Sequence, residues 1–377
     1  MADITESVGT DTRDWSSITS FEASLGDHSG DNMTGECYAD SDFDENVSFN
    51  DSTPTSITLT AASGEQHAGT ENSGVRLLSA ADGSNRISIT SAATHVKWLE
   101  IDYNGKNIDT TQCLLMDPTS PAQSIFSHLL IHGCRKDTSG AYYVIYHRDP
   151  GYGHNLVIYD CSNQYASGGV SNCWGIYTYC GNVDIAKYYN CVVYGLTAVS
   201  GSAHGINLYR NNAAHEAKNC ICMGHNTSDF AGVTTRMTYC MDSDSSLDVG
   251  SGNLLSQTDT DQFESTTNDF HLKTGADAID AGTDQGTSPD DVEFDINGYD
   301  RGGAATWDMG AHEFVAGSST IDATWTDGLS FSDLQGGTIA FNATWADGLS
   351  FSDLQGGTIV GVAQPLWYYQ ILQAYYY

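Results

Sequence analysis

Short apolar runs recur through the middle of this chain at intervals of 27 to 34 residues. One series occupies 96–101, 128–133, 155–160, 191–195 and 220–224; a second runs between them at 113–116, 142–147, 174–179 and 205–210. Each run is punctuated by Gly, Asn or Asp. A repeat of this size cannot bury its apolar side alone, but stacked on its neighbours it encloses a continuous core. The period predicts an all-β parallel solenoid. Composition agrees: 39 Gly, only 6 Pro and few stretches of strong helix formers point to many short strands joined by tight turns. Coiling also removes the unpaired edges that such a chain would otherwise carry.

Fourteen Lys and Arg stand against 48 Asp and Glu, a net charge of −34. That balance excludes a nucleic-acid groove, which needs clustered cations, and an anionic membrane surface. No run of eighteen apolar residues spans a bilayer. Hydrophobic residues at 40% and aromatics at 11% are too many for a disordered polyanion. The segment Met1-Ala2-Asp3-Ile4-Thr5-Glu6-Ser7 has neither the basic nor the apolar stretch of a secretory signal, so synthesis in a cytoplasm is expected.

Three pieces are expected. Residues 1–55 form an N-terminal cap region with a short helix at 15–25, where Trp15, Ile18, Phe21 and Leu25 recur at helical intervals and Gly26 supplies a stop. Residues 56–315 form the solenoid body, closing in a Gly/Asp-rich stretch from 251. Residues 316–377 hold a repeat and an aromatic tail. Cys134, Cys161, Cys191 and Cys220, separated by 27, 30 and 29 residues, are expected at equivalent places in successive coils. Disulfides between coils would suit an exported protein; reduced thiols acting as small buried hydrophobes suit one that is not. The absence of any Cys-x-x-Cys pair argues against zinc.

The last part of the body carries the most specific pattern: Phe270-His271-Leu272-Lys273, Ala278-Ile279-Asp280-Ala281-Gly282, Asp295-Ile296-Asn297-Gly298 with Arg301, and Trp307-Asp308-Met309-Gly310-Ala311-His312-Glu313-Phe314. This order resembles the final coils of right-handed parallel β-helix proteins, the pectate-lyase-like superfold, with their terminal D-x-G-A-x-E signature. Gly35-Glu36-Cys37-Tyr38 and Ser56-Ile57-Thr58-Leu59-Thr60 resemble the opening strands of β-helix proteins encoded by tailed bacteriophages. The resemblance implies a right-handed parallel β-helix and, among phage relatives, a three-fold homo-oligomer. It implies no one function, because the superfold hosts lyases, hydrolases, adhesins and inert scaffolds.

The chemistry of the enzymatic members is not matched. Polygalacturonase-like members carry Gly-His-Gly and Arg-x-Lys, whereas here His204-Gly205 lacks the leading Gly and Arg135-Lys136 are adjacent. No catalytic residue is assigned, though carboxylates paired across coils could still cleave a glycan. Two acidic clusters, Asp40, Asp42, Asp44 and Glu45, and Asp290, Asp291, Glu293 and Asp295, could hold Ca²⁺ or be solvated turns. With Ile145, Ile176 and Ile206 aligned inward, Tyr146, Tyr177 and Asn207 face outward, and Arg148, Tyr179 and Tyr209 follow two residues on. Such a strip can stack sugar rings and bond their hydroxyls, or simply stabilise the coil.

From Ala323 to Ile339 the sequence returns twenty residues later, from Ala343 to Ile359, with Thr326 replaced by Ala346 as the only difference. Two such units are too few for an independent solenoid. Trp325, Phe331, Trp345 and Phe351, with Trp367, Tyr368 and Tyr369 of the tail, are therefore expected to dock against other copies or other proteins. Together these features predict a non-enzymatic virion protein, a head decoration, fibre or spike, attached through 316–377 and contacting host polysaccharide. The alternative is a β-helix polysaccharide lyase or glycoside hydrolase.

Overall fold

The computed structural model describes residues 2–315 except 84–85, 91–92, 109–110, 119–122, 168–170, 181–184, 210–214 and 302–305, together with the backbone of strands at 318–321, 330–331, 338–341, 350–351 and 358–361. Residues 1–314 form one compact unit and 315–377 another.

In the first unit the chain passes repeatedly through three sheets in turn, and each return lays a strand parallel to the one before it. Ser124–Ser127 lies in the first sheet, Leu130–His132 in the second and Tyr142–His147 in the third; Gly151–His154 then returns to pair in parallel with Ser124–Ser127. Among the described residues the three sheets have nine, seven and seven strands. The first 55 residues are continuous with this stack, since Asp3–Val8 pairs with Asn32–Cys37, which pairs with Ser56–Ala61. The helix is shorter than its apolar spacing suggests, Ile18–Ser24, and runs into a 3₁₀ turn at Leu25–Asp27. Ser17 caps it by accepting from the Ser20 N–H, and the Glu45 carboxylate takes the N–H groups of Ile18 and Thr19.

The sequence period resolves into three strands per circuit where two were expected, and into four where Arg135–Lys136, Ser162–Asn163 and Thr197–Ala198 stack as a further short parallel sheet. The first apolar series is not a single strand. Within or just before each member the chain bends at one residue in the left-handed region, Trp98, His128, Asn155, Asn190 and Asn219, and Tyr239 repeats the bend in the circuit after, with φ between 49° and 61°. Residues before the bend belong to the first sheet and those after it to the second. That conformation is costly for most side chains and least so for Asn, which fills three of these six corners.

The second sheet separates two interiors. Ile131, Ile158, Val193 and Cys222 are in register and point into the central core, while Leu130, Val157, Val192 and Ile221 point outward. These outward residues are buried beneath the closing segment, whose hairpin Phe263–Ser265/Asp269–Leu272 and residues Ala278, Ile296, Met309 and Ala311 pack on them. The terminal D-x-G-A-x-E pattern holds this segment in shape. Arg301, wholly buried, donates to the carbonyls of Asp308 and Gly310 and to Glu313, while Asp308 accepts from the N–H groups of Asp280 and Phe314.

The cysteine spacing reads differently in three dimensions. All ten are buried thiols. Cys134 stacks on Cys161 just after the second sheet, whereas Cys191, Cys220 and Cys240 form a separate ladder just before it. The even interval between Cys161 and Cys191 is a coincidence of circuit length, because Leu156 is the true equivalent of Cys191.

In the second unit Ser318–Ile321, Thr338–Phe341 and Thr358–Gly361 pair in parallel, as do Ser330–Phe331 and Ser350–Phe351, with Phe331 opposite Phe351. Trp325, Trp345, Trp367, Tyr368 and Tyr369 lie outside the described residues.

Candidate functional site

The outer face of the third sheet carries the aromatic strip. Its strands align Leu115, Tyr146, Tyr177, Asn207 and Ala231 in one row, and Gln112, Tyr143, Trp174, His204 and Ser228 in another. Tyr146 and Tyr177 meet with centroids 5.9 Å apart, Tyr177 and Tyr209 at 5.4 Å, and Tyr179 and Tyr209 at 5.7 Å. Four of the six residues read from the sequence, Tyr146, Tyr177, Tyr179 and Tyr209, therefore form one ring cluster.

Tyr143, Trp174 and His204 belong to the same cluster and were missed. Tyr143 stacks on Tyr146 at 4.7 Å, and Trp174 stacks on His204 at 4.2 Å. Residues three apart would fall on opposite faces of a straight strand. Here the strand kinks, so that Val144 and Ile145 are both buried in the core and Tyr143 and Tyr146 share the outer face. In the next two coils Gly175 and Gly205 take the place of Val144. A Cβ on Gly175 would come within 2.6 Å of Val193 and 2.7 Å of the Gly205 carbonyl, so the kink is too tight for a side chain there. Gly two residues before Tyr177 and Asn207 was the available signal.

The rings cover one another. Tyr177 is only 8% exposed and Asn207 4%, so neither is presented to solvent as outward-facing residues would be; flanking rings and the next coil lie over them. Tyr179 and Tyr209 are 39% and 52% exposed and form the accessible part. Arg148, at the edge, is paired with Asp117 at 2.6 Å. Burial raises the Tyr143 and Tyr177 hydroxyls above the ordinary phenol range and lowers His204, so these groups are neutral near pH 7. The face offers ring edges, hydroxyl groups and one open ring pair.

A second cluster lies on the outer face of the second sheet. Glu100, Asp102 and His132 each bring a ligand atom within 4.8 Å of the others. His132 Nε2 bonds Glu100 at 2.9 Å, and the second Glu100 oxygen accepts from the Asn72 N–H at 2.8 Å. His132 titrates above the ordinary imidazole range: burial opposes its charge, but the Glu100 bond and Asp102 outweigh it. Glu100 is wholly buried, which identifies the trio first as an internal ion-pair network.

The acidic clusters are largely committed to local structure. Asp40 accepts from the N–H groups of Thr10 and Asp11 and pairs with Arg13; Asp42 pairs with Arg76, and Asp44 with Arg86. Asp295 accepts from the N–H groups of Asn297, Tyr299 and Glu313. Sequence could not disclose these partners, which lie up to 42 residues away.

Architecture and site together define an all-β protein of parallel-stranded sheets in which, among the described residues, the aromatic face of the third sheet is partly open at Tyr179 and Tyr209. Compared with known proteins, the chain matches no family model, no curated protein and no solved structure.

Proposed function

We propose that residues 1–314 form a right-handed parallel β-helix closed at one end by the N-terminal helix, and that the protein is a non-enzymatic structural component of a virion. In this reading the body is displayed outward as a decoration, fibre or spike, and residues 316–377 join it to its own copies, as a trimer, or to other virion proteins. The third sheet contacts glycans on the host surface. One observation carries the reading: Tyr179 and Tyr209 stay open to solvent at the end of a ring stack, while the second sheet's apolar outer face is sealed. Aromatic rings with polar tips suit the alternating apolar and hydroxyl surface of a sugar.

Imaging of assembled particles, and sedimentation of the full chain beside residues 1–314, test the assembly part. Expected are protein on the particle and loss of oligomers on truncation; identical monomers, with the truncated form still on the particle, overturn it. Glycan-array binding that falls at least tenfold in Tyr209→Ala supports the contact surface, and no binding to any glycan removes it.

The second reading, a glycan-cleaving enzyme, draws on Glu100, Asp102 and His132. Turnover of a polysaccharide that disappears in Glu100→Gln would select it over the first.

A further inference from the structure

The outer face of the first sheet meets the closing segment at a set of donors that neither proposed role uses. His95 stands on Thr94–Lys97 and His154 on Gly151–His154, two coils apart in the same sheet, with ring centroids 6.4 Å from each other. Above them the chain returns at Asp290 and Asp291. His95, Asp290 and Asp291 each bring a ligand atom within 4.8 Å of the others. His154 is wholly buried beside them, with its ring against the Asp290 backbone.

Ser127 Oγ bonds His95 Nε2 at 2.6 Å. Fixing one ring nitrogen through a neighbour and leaving the other for the ion is how metal-binding histidines are oriented. The Asn155 amide donates to His154 Nδ1 at 3.1 Å, which puts that ring's proton on Nε2, so His154 packs beside the site and is not a ligand. One imidazole with two carboxylates makes a donor set for Zn²⁺ and its first-row neighbours; Ca²⁺ takes oxygen ligands alone. Asp290 is exposed, which leaves an entry path. One group competes: Lys97 Nζ is paired with an Asp291 oxygen.

We propose that His95, Asp290 and Asp291 form a first-row transition-metal site that fastens the closing segment to the first sheet. The ion exchanges with Lys97 for the Asp291 carboxylate and ties the 283–294 stretch to coils from which it is far removed in sequence. Nothing in the proposal depends on glycan binding or on the virion role.

The test is titration of the full chain with Zn²⁺ and Co²⁺ by calorimetry and visible absorption, with Ca²⁺ as control. Expected are one ion per chain, cobalt bands of mixed nitrogen and oxygen ligation, and a rise in melting temperature with Zn²⁺ but not Ca²⁺. His95→Ala and Asp290→Asn, whose side chains are partly or fully exposed, should each weaken binding tenfold or more. Lys97→Met should strengthen it. No Zn²⁺ binding at millimolar concentration, or affinity unchanged in both weakening variants while each stays folded by circular dichroism, overturns the site. Protection by Ca²⁺ equal to that by Zn²⁺ overturns the metal class.

Discussion

The second and third sheets are built from the same circuits, yet their outer faces have opposite fates. On the second, Leu130, Val157, Val192, Ile221 and Met241 vanish beneath the closing segment. On the third, nothing among the described residues covers Tyr179 and Tyr209, and the rings shield mainly one another. Aliphatic side chains in that position would need a lid, because burying a large one is worth roughly 1.5–3 kcal/mol. Tyrosines tolerate water at their hydroxyl ends while their rings pack sideways. The difference is one of side-chain chemistry on a common backbone.

Adjacent residues can break this comparison most sharply. Val193 faces the central core and Val192 the closing segment. Val193→Asp places an unpaired charge in the shared interior and should prevent folding, an effect on the order of 4–5 kcal/mol or more. Val192→Asp should release the closing segment while the coils stay folded. Circular dichroism with limited proteolysis separates the two outcomes, and equal damage from both would show that the faces are not independent.

Arg301→Met comes next. It strips the cation from buried Glu313 and leaves the Asp308 and Gly310 carbonyls without their donor, at a cost of about 3–5 kcal/mol in urea unfolding. A loss below 1 kcal/mol would mean that the closing segment is held by its apolar contacts alone.

Acidification acts on both faces. Burial pushes His147, inside the third sheet, and His312, in the closing segment, down to about 3. Unfolded imidazole titrates near 6.5. Above that value neither state is charged, and stability is full. As the pH falls from about 6.5 toward 3, the unfolded chain takes up protons that the folded chain refuses, so stability is lost. Glu313, raised by burial to about 7, and Asp229, raised to about 6, work the other way: folded they hold a proton that the unfolded chain gives up until near pH 4–4.5. His154 and His225 join the first group at about 3, and the imidazoles prevail. The urea midpoint should be lower at pH 5 than at pH 7. His312→Gln should flatten only proteolytic release of the closing segment, and His147→Gln only the unfolding of the body.

The smallest effect belongs to the open face. Tyr179→Ala and Tyr209→Ala should each shift stability by less than about 1 kcal/mol, since both are substantially exposed. Larger losses in thermal melts would recast these rings as structural.

What could be read in advance followed apolar repetition. The period and the inward Ile145, Ile176 and Ile206 announce themselves by hydrophobicity. The middle of the first sheet was illegible because its strands Gly151–His154 and Ala186–Tyr189 mix Gly, His, Lys and Tyr, whose burial comes from neighbours and not from their own polarity. The corners at Asn155, Asn190 and Asn219 were visible as residues but not as a change of sheet. Tyr143 and Trp174 were hidden by the assumption of straight strands. His95 has no local signal at all, and Asp290 was read only within an acidic cluster, since the chain must close over itself before the two meet.

The second unit carries a consequence for how such a chain changes over time. Its strands pair at intervals of twenty residues with no shift of register, Ser318 opposite Thr338 and Thr338 opposite Thr358. A duplicated or deleted copy alters no pairing chemistry; it moves the C-terminus by one rung, about 4.8 Å. The stretch is a ruler whose graduations are copies of itself. Selection on reach can act on it by unequal copying of the coding sequence, with no new fold to be found at any step.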